Sequence, residues 1–148
     1  MKYVVFGLVL IPLLAFLFAL TRMMTAKRLS EGMTVKRREA ETQTRNKFIT
    51  AVGFIFACVM YGIVETMMVY NGNGGFTAPE NMKYVCVIAF MCNAVTCILQ
   101  GFIGESQINK GALTDEKAFA RMLLYFGLAE LIAVVGVIYF FLGFAGVV

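Results

Sequence analysis

Few residues in this sequence could do chemistry, and the most conspicuous lies in apolar company. Glu130 stands in GLAELIAVVGVIYFFL (127–142), a stretch with no other charged residue. An ionised carboxylate in hydrocarbon costs several kcal/mol, so an acid there is expected to be neutral, paired or bound to a cation. A carboxyl that is neutral in lipid and ionises when a polar partner or water reaches it is a reversible proton carrier. Binding Na⁺ asks for more, namely several oxygen ligands around the same carboxylate. Gln100 is the natural companion, because a side-chain amide accepts from a protonated acid and donates to an ionised one. Glu65 reads differently. It lies six residues before Asn71, near the end of its apolar run, where a charged tip reaches water cheaply. Thr66 beside it offers one more oxygen. Glu105 reads as solvated, at a helix end.

The remaining reactive side chains point away from metal chemistry. Cys58, Cys86, Cys92 and Cys97 all fall in apolar runs, none forms a C-x-x-C pair, and the sequence has no histidine. They read as small buried hydrophobes, and no metal site is expected unless Na⁺ binds at Glu130.

These residues must be positioned by membrane elements. The chain is 60% hydrophobic and only 15% charged, too apolar for an ordinary soluble domain. The apolar residues gather in runs at 3–20, 48–70, 84–103 and 118–147. Each is near or above the roughly 18–20 residues that cross a bilayer as a helix, about twice what a barrel strand needs. The expected fold is all-α, with four transmembrane helices arranged as two hairpins. Residues 1–72 form the first hairpin, with a long basic loop, and 73–148 form the second, carrying the intramembrane carboxylate. The linker NGNGGFTAPEN (71–81) has the composition of a loop. The first run has no small-x-small site before Thr21-Arg22, so it reads as a retained helix rather than a cleaved signal peptide.

Charge sets the expected orientation. Arg22, Lys27, Arg28, Lys36, Arg37, Arg38, Arg45 and Lys47 fall at or between the first two runs. Lys110, Lys117 and Arg121 follow the third, and only Lys2 and Lys83 lie on the opposite side. The positive-inside rule then puts loops 21–47 and 104–117 in the cytoplasm and both termini outside. Topology accounts for the basic residues, so no nucleic-acid partner is expected.

Two further patterns bear on packing. Ala89, Asn93, Cys97 and Gly101 recur every four residues on the third helix, and Gly7, Ala15 and Ala19 form a looser series on the first. Small faces let helix backbones approach closely in lipid, which predicts helices 1 and 3 inside and the bulkier helices 2 and 4 outside. Gly62-x-x-Glu65 and Gly127-x-x-Glu130 hint at duplication of a two-helix unit.

The second hairpin resembles a known family. It carries Gln100-Gly101, the turn Gly111-Ala112-Leu113-Thr114-Asp115-Glu116, Phe119, Glu130 and Gly136. In this it is similar to the proteolipid (c or K) subunit of rotary V-type and V/A-type ATPases, in the four-helix, double-hairpin form. In the first hairpin, Val59-Met60-Tyr61-Gly62 can be laid on that family's Tyr-Gly, which puts Ala57 and Cys58 where polar Thr-Gln ligands usually stand. A second register lays Glu65-Thr66 on the carboxylate motif of sodium-binding hairpins. The first is preferred, because the second brings Glu65 close to the loop. The missing ligands favour H⁺ over Na⁺. The inner helices lack the family's dense glycine run, and the first loop is longer than is usual.

The resemblance implies a rotor ring of many copies that couples ion flow to ATP synthesis or hydrolysis. Glu130 would bind the ion with Gln100, and Glu65, Thr66 and Tyr61 are secondary candidates. It implies as partners other copies of the chain, a stator membrane subunit with half-channels and an arginine, central-stalk subunits, and lipid. It implies no cofactor beyond the transported H⁺ or Na⁺, and no catalysis by this chain itself.

Two rivals share parts of the pattern. One is a four-helix membrane enzyme acting on glutathione or eicosanoids, to which Arg45-Asn46 has some similarity; its sites need arginines and a tyrosine near helix ends, for which Arg121 and Tyr125 are poor substitutes. The other is an accessory or structural subunit of another membrane complex, in which Glu130 is only an interhelical hydrogen-bonding group.

Overall fold

The computed structural model describes residues 2–31, 38–72 and 81–148. Four helices make up almost all of it: α1 (Lys2–Glu31), α2 (Arg38–Gly72), α3 (Asn81–Asn109) and α4 (Glu116–Phe144). Each contains a segment long and apolar enough to cross a membrane, as expected of a chain whose backbone polar groups must be satisfied without water. The architecture fits an integral multi-pass membrane protein.

The helices outrun the apolar stretches that announced them. The polar segments 21–47 and 104–117, expected as loops, are largely helical: α1 continues to Glu31, α2 begins at Arg38 and α3 runs to Asn109. A helix ends where its backbone bonds are capped, not where its side chains turn polar. At roughly 1.5 Å per residue, the 35 residues of α2 span about 50 Å, well beyond a hydrocarbon core of roughly 30 Å. Lys36, Arg37 and most of the 71–81 linker lie outside the described residues.

The second connection is short and well defined. Gly111 sits at φ +86°, a left-handed position that glycine occupies without penalty. Around it, the Gly111 N–H donates to Ile108 and the Ala112 N–H to Gln107, closing the end of α3. The Asp115 carboxylate then accepts from the Ala118 N–H at 2.8 Å and caps α4. Leu113 is buried and pins the turn to the core. The Gly-x-Leu-Thr-Asp string is thus a helix stop, an anchor and a helix start.

Side-chain pairings give the helix directions. Ala19 faces Gly101, and Met23 faces Gly104, so α1 and α3 run parallel. Phe54 meets Phe126 and Tyr61 meets Glu130, so α2 and α4 also run parallel. Gln100 meets Phe126, Cys92 meets Gly136 and Val85 meets Gly143, which makes α3 and α4 antiparallel. The result is two rows, α1 with α3 and α2 with α4. α3 packs on all three other helices, and α2 does too, whereas α1 and α4 do not meet among the described residues.

The small-residue stripe behaves as expected at α1–α3. A Cβ on Gly101 would lie 2.7 Å from the Ala19 Cα, so the two backbones are at contact distance. The inside-outside division does not hold within this packet: α3 is central as expected, but among the described residues α1 touches only α2 and α3, whereas α2, expected outside, touches all three other helices. α4 has a small face of its own, with Ala129, Ala133, Gly136 and Gly143 all buried, and a Cβ on Gly136 would lie 2.6 Å from the Cys92 Cβ. Bulky residues such as Leu128, Leu131 and Val135 cover the other side of α4 and are exposed. The four cysteines are free thiols; Cys58, Cys86 and Cys97 are buried, and Cys92 is partly so.

Candidate functional site

Glu130 lies fourteen residues into α4, about 21 Å along it. Its side chain is partly exposed, at the outer edge where α4 adjoins α2. The Tyr61 hydroxyl donates to Glu130 Oε1 at 2.6 Å. A hydroxyl of this kind serves both protonation states, since it can also accept a hydrogen bond from the neutral acid. The parallel course of α2 and α4 makes this pair possible, because it brings residues of the two helices to the same level.

Gln100 is placed one turn from where the sequence suggested. It is wholly buried, and its amide Nε2 donates to the Phe126 carbonyl at 3.1 Å rather than to the Glu130 carboxyl. Phe126 lies one helical turn before Glu130, and the antiparallel register of α3 and α4 sets this offset. The Gln100 Oε1 faces the Cys58 thiol at 4.0 Å, a long contact. The α3 residue level with Glu130 is Thr96. Its hydroxyl is bonded chiefly to the Cys92 carbonyl of its own helix, at 2.9 Å, and lies 3.4 Å from the Ala129 carbonyl.

Glu65 departs most from expectation. It does not reach water near a helix end; it is 2% exposed and turned onto α3. Asn93 Nδ2 donates to Glu65 Oε2 at 3.2 Å. The other oxygen of each group, Glu65 Oε1 and Asn93 Oδ1, is buried with no hydrogen-bond partner. Position along α2 gave the wrong answer because rotation about the helix, not depth, decides which side a residue faces. Thr66 is buried and donates to the Gly62 carbonyl of its own helix at 2.8 Å.

Charged groups elsewhere fasten the end that carries the 110–115 turn. Glu105 is not a solvated helix end: it pairs with Arg22 across α1 and α3, and the guanidinium stacks over Phe102 at 4.4 Å. Lys47 of α2 pairs with Glu116 of α4 at 2.9 Å. Both bridges are at least partly exposed and contribute modestly, of order 0–1 kcal/mol each.

Tyr61 was legible only through the family likeness, and Asn93 appeared in the sequence only as one of a row of small residues. Its amide, in a run of apolar neighbours, was the signal that could have flagged it. No protein-family model matches the chain, and no curated protein matches it either.

Proposed function

We propose that this chain is a rotor-ring subunit of a rotary ATPase, in which Glu130 takes up and releases the translocated ion. The Tyr61–Glu130 pair carries the reading. It is a carboxyl at mid-span, at the outer edge of the packet, hydrogen-bonded yet partly open. Such a group can be neutral while facing lipid and can lose its proton where a stator half-channel brings water to it. The hydroxyl offers a hydrogen bond in either state, which keeps the ionised form from being left bare.

The two-row arrangement supports the reading. α1 and α4 lie at opposite ends of the packet, so each presents a flank free to meet the unlike flank of another copy. Unlike flanks make head-to-tail contacts, and such contacts close into rings when the rotation permits. A stator membrane subunit, central-stalk subunits and lipid complete the proposed assembly. H⁺ is favoured over Na⁺, because Tyr61 is the side chain bonded to the Glu130 carboxyl and a Na⁺ site needs several oxygens.

The test is carbodiimide labelling of the purified membrane protein, with the adduct mapped by mass spectrometry at several pH values, with and without Na⁺. The expected result is an adduct on Glu130 that fades as pH rises. Protection by Na⁺ at fixed pH would reassign the ion. No adduct at Glu130 under any condition overturns the proposal in favour of an accessory subunit with a fixed Tyr61–Glu130 bond.

A further inference from the structure

We propose that Glu65 and Asn93 form a second binding site, for a single resident proton, enclosed between α2 and α3. The site differs from Glu130 in kind and stands whether or not Glu130 carries ions.

The argument begins with hydrogen-bond accounting. An ionised Glu65 has acceptors only, and Asn93 Oδ1 is another acceptor. Asn93 Nδ2 satisfies Glu65 Oε2 at 3.2 Å, which leaves Glu65 Oε1 and Asn93 Oδ1 buried and unpartnered. Buried acceptors without donors are rare and costly. One proton on the carboxyl repairs both. Glu65 then donates from Oε1 to Asn93 Oδ1 while Asn93 donates to Oε2, and the two planar groups close a ring of two hydrogen bonds. Inverting the amide does not remove the need. Oδ1 would then face Oε2 at the same separation, and two acceptors in contact also require a proton between them.

The surroundings favour a proton over a larger cation. Glu65 is 2% exposed and Asn93 wholly buried. On α3, the Cys86 and Cys92 thiols lie near enough to feel the carboxyl's charge, and thiols are poor ligands for Na⁺, which prefers oxygen. On α2, the Thr66 hydroxyl is committed to the Gly62 carbonyl, and Tyr61, one turn away, is committed to Glu130. No lysine or arginine among the described residues pairs with Glu65. The proton therefore neutralises the Glu65 carboxyl, whose one bond among the described residues is to a neutral amide. It also joins α2 to α3 at a level where neither can lend another polar group.

The experiment is infrared spectroscopy of the full-length protein in lipid vesicles at neutral pH, comparing the parent with Glu65→Gln and Glu130→Gln. The expected result is a carboxylic-acid carbonyl band that is lost in Glu65→Gln, kept in Glu130→Gln and unmoved by Na⁺. An ionised carboxylate signal assigned to Glu65, or a band that Na⁺ abolishes, overturns the proposal. Glu65→Gln should fold, because glutamine can donate to Oδ1 and accept from Nδ2 as the neutral acid does. Should it not fold, Asn93→Ala supplies the second reading. The band should then move to the higher frequency of an acid without its amide partner, and an unmoved band overturns the proposal. None of these outcomes depends on transport.

Discussion

Glu65 and Glu130 occupy equivalent places in two Gly-x-x-Glu strings, on parallel helices, yet they meet opposite surroundings. Glu130 faces an edge, is partly open and shares one short bond with a hydroxyl. Glu65 faces inward, is closed off and shares a longer bond with an amide. The difference arises from which neighbour each helix has. α2 lies against three helices and so turns Glu65 into a packed interface, whereas α4 lies against two, at one end of the packet, and leaves Glu130 beside a flank. The same residue in the same local string becomes a partly open group or a buried one according to the helices around it.

The sharpest way to break this comparison is to neutralise each acid in turn. In reconstituted vesicles with the complete assembly, Glu130→Gln should reduce ion transport to background while the ring still assembles. Glu65→Gln should leave assembly intact; transport falling equally in both variants would mean that the two acids share a role.

Stability separates the acids in the other direction. Glu65→Ala leaves Asn93 buried without its partner, and should cost about 1–3 kcal/mol with a further loss from the cavity. Glu65→Gln should stay within about 1 kcal/mol of the parent, since both hydrogen bonds of the acid–amide ring can be kept. Thermal unfolding in detergent, followed by circular dichroism, measures both. Equal losses would count against the ring.

Carbodiimide reactivity should sharpen the contrast. Glu130 should be modified and Glu65 should not, because the reagent cannot reach a side chain that is 2% exposed. Tyr61→Phe should make Glu130 react several-fold faster, by removing its hydrogen bond, at a stability cost of about 0.5–1.5 kcal/mol. The smallest effect on the comparison should come from Asp115→Ala. It removes the α4 cap at a cost of about 1 kcal/mol, and should leave the relative labelling of the two acids unchanged.

The fold was largely legible because four long apolar runs allow little else. The lengths of the polar connections were not, since residues such as Thr25, Lys27 and Arg28 continue a helix as readily as they leave one. Glu130 stood out as an acid among apolar residues, and that signal depends only on composition. Its partner did not: Gln100 was the candidate on α3, but the register of α3 against α4 sets Gln100 at the Phe126 carbonyl, and the hydroxyl that meets Glu130 comes from Tyr61 of α2. The burial of Glu65 was hidden for a related reason. In a water-soluble helix the apolar stripe marks the inward face. In α2 the residues facing outward, such as Met60, Val64 and Met67, are apolar too, so the sequence carries no phase from which to read direction.

The position of α3 against all three other helices has a consequence for genetics. A harmful substitution on α3 disturbs several partners, so second-site suppressors should be scattered across α1, α2 and α4. Among the described residues, a harmful substitution on α1 has only α2 and α3 from which to be rescued, and one on α4 only α2 and α3 likewise. A suppressor screen begun from Gly101 on α3 and from Gly143 on α4 would therefore return maps of different breadth, and their overlap would fall on α2, the helix that both α3 and α4 touch.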